Sequence, residues 1–199
     1  MLFRSIVKKT VILAAVALAA LLAFQSESNS QAPAADYQVD PIHSVVVFGV
    51  HHFGAGRFYG RFNKIEGAFS LNDGGNGSID VTVDADSIDT AFGDRDKHLK
   101  SPQFFSVKQF PTITFKSDRF KRVGENAYQA TGKLTMRGVT REVTAPIEYT
   151  GSGKGMKGEE RVGFEARLNI KRSDFGMDEL MGPVGDEIRL IIAIEGVKK

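Results

Sequence analysis

Apolar and polar residues alternate in run after run between Val46 and Ile194, and a period of two confines such a chain to half-buried β-strands. The first run sets Val46, Phe48 and Val50 on one face with Val45 and Val47 on the other, so cover on both faces is expected. The second extends from Arg57 to Leu71 and interleaves Phe58, Phe62 and Phe69 with Arg61, Lys64 and Glu66; Gly60 and Gly67 mark bends within it. Ile79, Val81 and Val83 follow the turn at 72–77 as a hairpin partner. Ile113 and Phe115 belong to a fourth run, and Tyr128 to Met136, Val143 to Tyr149, Val162 to Ile170 and Ile188 to Ile194 supply four more. Short links between successive runs imply an antiparallel meander. A meander of eight long strands either folds into a sandwich or closes on itself, and closure alone removes exposed edges. The expected fold is all-β, an eight-stranded antiparallel β-barrel.

One segment breaks the rhythm. Between Ser87 and Pro111 the chain reads as a short helical connector over residues 94–101, with Asp94 as its N-cap and Pro102 helping to end it. Charged residues from Asp94 to Lys100 abut the pair Phe104-Phe105, so the connector is expected to close one end of the barrel and to carry the site.

The N-terminus sets the compartment. Arg4, Lys8 and Lys9 precede an uncharged apolar run from Val11 to Phe24, and a polar, small-residue stretch ends at Ala35. The run is shorter than the roughly 20 residues a spanning helix needs. Residues 1–35 therefore read as a secretory signal peptide and residues 36–199 as one exported domain, expected in the periplasm. The chain has no cysteine, so neither a disulfide nor a lipidated N-terminal Cys is available. Losing Arg4, Lys8, Lys9 and Glu27 takes three bases from 26 and one acid from 24, which leaves the domain formally neutral. Without a basic patch, no nucleic-acid partner is expected.

The chemistry of catalysis is thinly represented. There is no GxSxG elbow, and Ser44 beside His43 diverges from it in extended backbone. His51 and His52 point to opposite faces for the same reason, and no HExxH accompanies them, so no metal is expected. His43 reads instead as a hydrogen-bonding partner near the Asp40-Pro41 turn. Gly153-Lys-Gly155-Met-Lys-Gly158 matches GxGxxG, but a strand follows it where a phosphate site needs a helix. An eight-stranded barrel has an interior that side chains fill or that holds one small ligand. Inward Ala130, Gly132, Ala145 and Ala166 beside fifteen phenylalanines are compatible with either outcome.

Asp40-Pro-Ile-His-Ser44 leading to Val47-Phe-Gly-Val-His51, Gly60-Arg-Phe62, Arg95-Asp-Lys-His-Leu99 with Phe104-Phe105, and Phe110-Pro-Thr-Ile-Thr-Phe115 resemble the YceI-like family. Gly132-Lys-Leu-Thr-Met-Arg-Gly-Val139 and Arg172-Ser-Asp-Phe-Gly176 extend the resemblance over most of residues 37–195. It implies a lipocalin-like barrel, exported to the periplasm, whose apolar channel binds an isoprenoid lipid of quinone or polyprenyl type for transport or storage. No cofactor and no catalysed reaction are implied. On that basis Phe48, Val50, Phe62, Phe69, Phe104, Phe105, Phe115 and Phe164 are the expected tail contacts, and His52, Arg95 and His98 the expected head contacts. Arg95 could equally serve the helix by pairing with Asp94 or Asp96. Two alternatives stand beside this reading: an enzyme acting on its bound isoprenoid through Asp96 and His98, and a non-selective chaperone-like protein. A homodimer and transient membrane contact are further expectations.

Overall fold

The computed structural model describes residues 35–72 and 74–199. The expected signal peptide, save Ala35, lies outside them. Strands β1 (Ala35–Val39), β2 (Val45–His52), β3 (Gly56–Phe62), β4 (Ile65–Leu71), β5 (Gly77–Asp84) and the two-residue β6 (Ile88–Asp89) precede one helix, α1 (Gly93–Leu99). β7 (Thr112–Arg122), β8 (Ala127–Met136), β9 (Val139–Lys154), β10 (Glu160–Lys171) and β11 (Val184–Lys198) complete the chain.

All pairings between strands are antiparallel, and the ring β1-β4-β5-β7-β8-β9-β10-β11 closes where Tyr37 meets Lys198. Eight strand positions surround the axis, as the eight alternating runs predict. Three positions are kinked rather than straight. β1 and β2 share one flank of β11 and are separated by residues 40–44; β3 and β4 follow each other through Asn63-Lys64; β6 continues β5 beyond a 3-10 turn at Ala85–Ser87. The strand at Ala35–Val39 has no counterpart among the eight runs. Val45 and Val47 on the outer face of β2 are half-buried, short of the full cover expected there.

Inward side chains form two zones. At the end where β1 meets β11, Phe164 is the hub of an aromatic plug, its ring centroid 5.4–5.7 Å from those of Tyr128, Phe120, Phe69 and Tyr149. Ala130, Ala145 and Ala166 pack into the same zone. Toward the other end Val46, Phe48, Phe62, Ile65, Val83 and Ile88 make a second cluster. Gly60 permits it, because a Cβ there would collide with the Phe48 ring.

This second end is where ring pairing fails. β9–β10 pairing stops at Ala166 opposite Ile147, although β10 continues along β11 as far as Lys171 opposite Glu187. Phe175, from the 3-10 turn Arg172–Phe175, packs there with Met136, Met177, Val139 and Ile170. α1 and the segment to Pro111 cover the rest. The helix begins at Gly93 with Phe92 in the N-cap position and no capping side chain, so Asp94 lies in the first turn instead of capping it. A carboxylate is used nearby all the same: Asp96 Oδ1 accepts the Thr90 backbone N–H at 2.9 Å and its hydroxyl.

Candidate functional site: an apolar lumen with a polar mouth

A cavity of about 150 Å³ occupies the unplugged half of the barrel. Its wall is almost wholly hydrocarbon, with Phe48, Phe62, Phe105, Phe115, Leu134 and Ile188 among the lining side chains. A second cavity, about 270 Å³, adjoins it at the mouth, and Phe48, Val50, Leu99, Phe104 and Val184 border both. The two spaces therefore share a wall to which these five residues contribute.

Six of the eight expected tail contacts line the inner cavity: Phe48, Val50, Phe62, Phe104, Phe105 and Phe115. Phe62 sits 5.7 Å from Phe48 and 5.4 Å from Phe105. Phe69 and Phe164 do not line it. Both belong to the aromatic plug, where inward alternation continues but the barrel is already filled.

His52 of β2 meets Arg95 and His98, three residues apart on α1, at the mouth cavity. Arg95 does not pair with Asp94 or Asp96. Its Nε donates to Thr90 Oγ1 at 2.9 Å, its Nη2 donates to the Thr90 carbonyl at 2.6 Å, and its guanidinium lies 4.0 Å from the Phe58 centroid. Nη1 has no protein partner among the described residues. His98 donates through Nε2 to Gln103 Oε1 at 2.9 Å and meets Phe104 edge-on. His52 stacks edge-on with Phe53 at 4.5 Å. The mouth thus offers a few directed polar atoms above an apolar shaft, the arrangement that orients one small ligand. Asp96 does not line either cavity and is engaged by Thr90, so it and His98 are not gathered as a proton-transfer pair.

Arg172 is the residue that sequence reasoning left out. It lines the inner cavity and is only 3% exposed. Its donors are met by the carbonyls of Met177, Glu179, Val184 and Gly185 and by Met181 Sδ, not by a carboxylate. Burial pulls its pKa down, opposed by Asp186, Asp178 and Glu179. The guanidinium binds together the segment 177–185 that forms one side of the mouth. Its only sequence signal was its place at the head of the Arg172-Ser-Asp-Phe-Gly176 motif.

The other charged cluster lies apart. Asp40 Oδ2 bonds His43 Nδ1 at 2.9 Å, as expected of His43, and accepts from Arg161 Nη1 at 2.8 Å. Asp40, His43 and Glu195 come close enough to share an ion, but Arg161 bonds both carboxylates and is their cation. These contacts, His43 first and Arg161 second, hold the Asp40 carboxyl well below the usual carboxylate range.

A closed antiparallel barrel with an apolar lumen, plugged at one end and polar at the other, defines a lipocalin-like barrel. The chain belongs to the YceI-like family: a model of the YceI-like domain matches residues 37–196. A Pseudomonas aeruginosa relative called UPF0312 protein is 39% identical over 197 residues, covering 96% of this chain and 99% of its own. Among solved structures, Campylobacter jejuni YCEI protein is 30% identical with a TM-score of 0.65, covering 70% of this chain and 84% of its own. Burkholderia cenocepacia BcnA is 26% identical with a TM-score of 0.71, covering 79% and 98%. A polyisoprenoid binding domain from Saccharophagus degradans shares the fold at 13% identity, with a TM-score of 0.63 over 82% of this chain and 98% of that one.

Proposed function

We propose that the chain is a periplasmic carrier or store for an isoprenoid lipid, held tail-inward in the lumen with its head among Arg95, His52 and His98. The observation that carries this reading is the adjacency of the two cavities: hydrocarbon below, three nitrogen-bearing side chains above, and five lining residues in common. The family membership and the polyisoprenoid-binding description of the Saccharophagus neighbour support the ligand class.

Burial contributes about 0.8 kcal/mol per CH₂, hence on the order of 4 kcal/mol per five-carbon unit before ordering costs. The inner cavity matches the roughly 150 Å³ spaces that take up one benzene ring, so at rest it admits about one isoprene unit. Longer tails are accommodated by displacing the side chains that border both spaces. Arg95 has two of its donor nitrogens committed to Thr90, which suits a single carbonyl or hydroxyl better than a bidentate phosphate. The favoured ligand is therefore neutral at its head, as a quinone is.

Val50 borders both cavities and supplies the test. Val50→Phe should cut the affinity for detergent-solubilised isoprenoid quinone about tenfold or more, while the circular dichroism spectrum stays that of a barrel. Unchanged affinity in the folded variant would remove the tunnel.

A further inference from the structure

The mouth is ringed by apolar side chains that remain exposed among the described residues. Phe53 is 69% exposed, Phe92 56%, Met181 46% and Leu180 44%. Each is tied to the mouth. Phe53 follows His52 and donates its backbone N–H to Pro183 at 2.7 Å; Phe92 lies 5.5 Å from the Arg95 guanidinium; Leu180 lines the mouth cavity; Met181 Sδ accepts from Arg172.

Two of these residues occupy backbone conformations that a side chain disfavours. Phe53 has φ +50° and Leu180 φ +54°, a region that glycine or asparagine would enter at lower cost. Folding stability therefore does not account for large apolar residues at these two exposed positions.

We infer that this rim docks the protein onto the surface of a phospholipid bilayer, so that lipid passes between membrane and lumen without crossing water. The inference rests on the isoprenoid-binding reading above. Continuity carries it: the rim leads into the mouth cavity and from there, past Val50 and Phe48, into the hydrocarbon lumen. Area separates the bilayer from a second copy of the chain. Phenyl rings offer roughly 150–250 Å² each, so with Leu180 and Met181 the rim presents on the order of 400 Å². That is half of the roughly 800 Å² per partner that stable protein interfaces bury. Charge around the rim is mixed: Arg57 in β3 and Arg95 and Lys97 in α1 stand with Asp94 and Asp96 in α1 and with Asp178 and Glu179, which precede Leu180. The docking is thus apolar, indifferent to salt, and does not require anionic lipid.

The chain contains no tryptophan, so single reporters can be placed cleanly in the full-length protein. Phe53→Trp sits at the rim; Met156→Trp sits in the β9–β10 turn at the opposite end, where the native side chain is fully exposed. With neutral phosphatidylcholine vesicles bearing brominated acyl chains, Phe53→Trp emission should shift to the blue and be quenched, at high salt as at low, while Met156→Trp shows neither. Phe53→Asn, which suits the left-handed backbone at a residue that lines neither cavity, should slow uptake of isoprenoid from vesicles about tenfold. Its affinity for the same lipid in detergent should not change. No quenching at position 53, or equal quenching at 156, overturns the docking surface. So does a blue shift at 53 that grows with protein concentration in the absence of vesicles, since that would mean a second copy covers the rim. Rim quenching together with no isoprenoid affinity in detergent would defeat the binding reading and leave the docking surface standing.

Discussion

The guanidinium of Arg95 lies 4.0 Å from the centroid of the Phe58 ring, and both residues border the mouth cavity. The planar cation is fixed by the ring on one side and by two bonds to Thr90 on another. Lysine cannot reproduce this, having neither the plane nor the fork. Arg95→Lys should therefore weaken binding of an isoprenoid quinone about tenfold, the worth of one charge-assisted hydrogen bond. Affinity for a polyprene lacking a polar head should stay the same, and competition titration against a fluorescent lipid separates the two.

Phe164 sets the depth of the lumen through its contacts with Phe69, Phe120, Tyr128 and Tyr149. Phe164→Ala should lower stability by about 3–5 kcal/mol, read from urea unfolding. In protein that remains folded, the preferred tail should lengthen by about one isoprene unit, since the void left is on the scale of a ring. A series of quinones of graded tail length measures this directly.

Arg172 donates to four backbone carbonyls and to Met181 Sδ. Arg172→Met orphans the Met177, Glu179, Val184 and Gly185 acceptors and should cost roughly 3 kcal/mol. Arg172→Lys should recover only part of this, having three donors in place of five. Amide hydrogen exchange in residues 177–185 should speed up more than in β7 or β8, because the loss is local to the mouth.

The Asp40 carboxyl is held low by His43 and Arg161. Its folded value lies beneath its unfolded one, so the stabilisation is fully present above about pH 4 and is lost as the pH falls through the folded value. Asp40→Asn should cost roughly 1–3 kcal/mol at neutral pH, between exposed and fully buried ion pairs. The gap between wild type and variant should then close on acidification below about pH 4. Urea unfolding across that range tests the sign.

Much of the architecture was legible because alternation is read strand by strand. Every one of the eight alternating runs occupies one position around the ring, and Arg137-Gly138, both at positive φ, make a tight β8–β9 hairpin. Alternation does not report depth along the axis. Phe69 and Phe164 point inward as surely as Phe62 does, yet one pair fills the plug while the other lines the cavity. The same limit applies to Ala145 and Ala166, small inward residues that pack into the filled zone rather than enlarging the lumen. Arg95 and His98 could be proposed because they belong to the charged break expected to close the barrel, and His52 because it ends the first alternating run. Arg172 could not, since a buried cation satisfied only by carbonyls and a thioether leaves no charge partner in the sequence to betray it. Asp94 illustrates a local rule overridden: it stands where a cap is expected, but the helix starts one residue earlier and Asp96 serves Thr90 instead.

The most direct test of the central claim is native mass spectrometry of the protein purified without detergent from its own host, followed by extraction and identification of the bound molecule. The account predicts a one-to-one complex with a neutral isoprenoid lipid. A barrel that is empty and stays empty when offered isoprenoid quinone, or one that carries only straight-chain lipid, would contradict it.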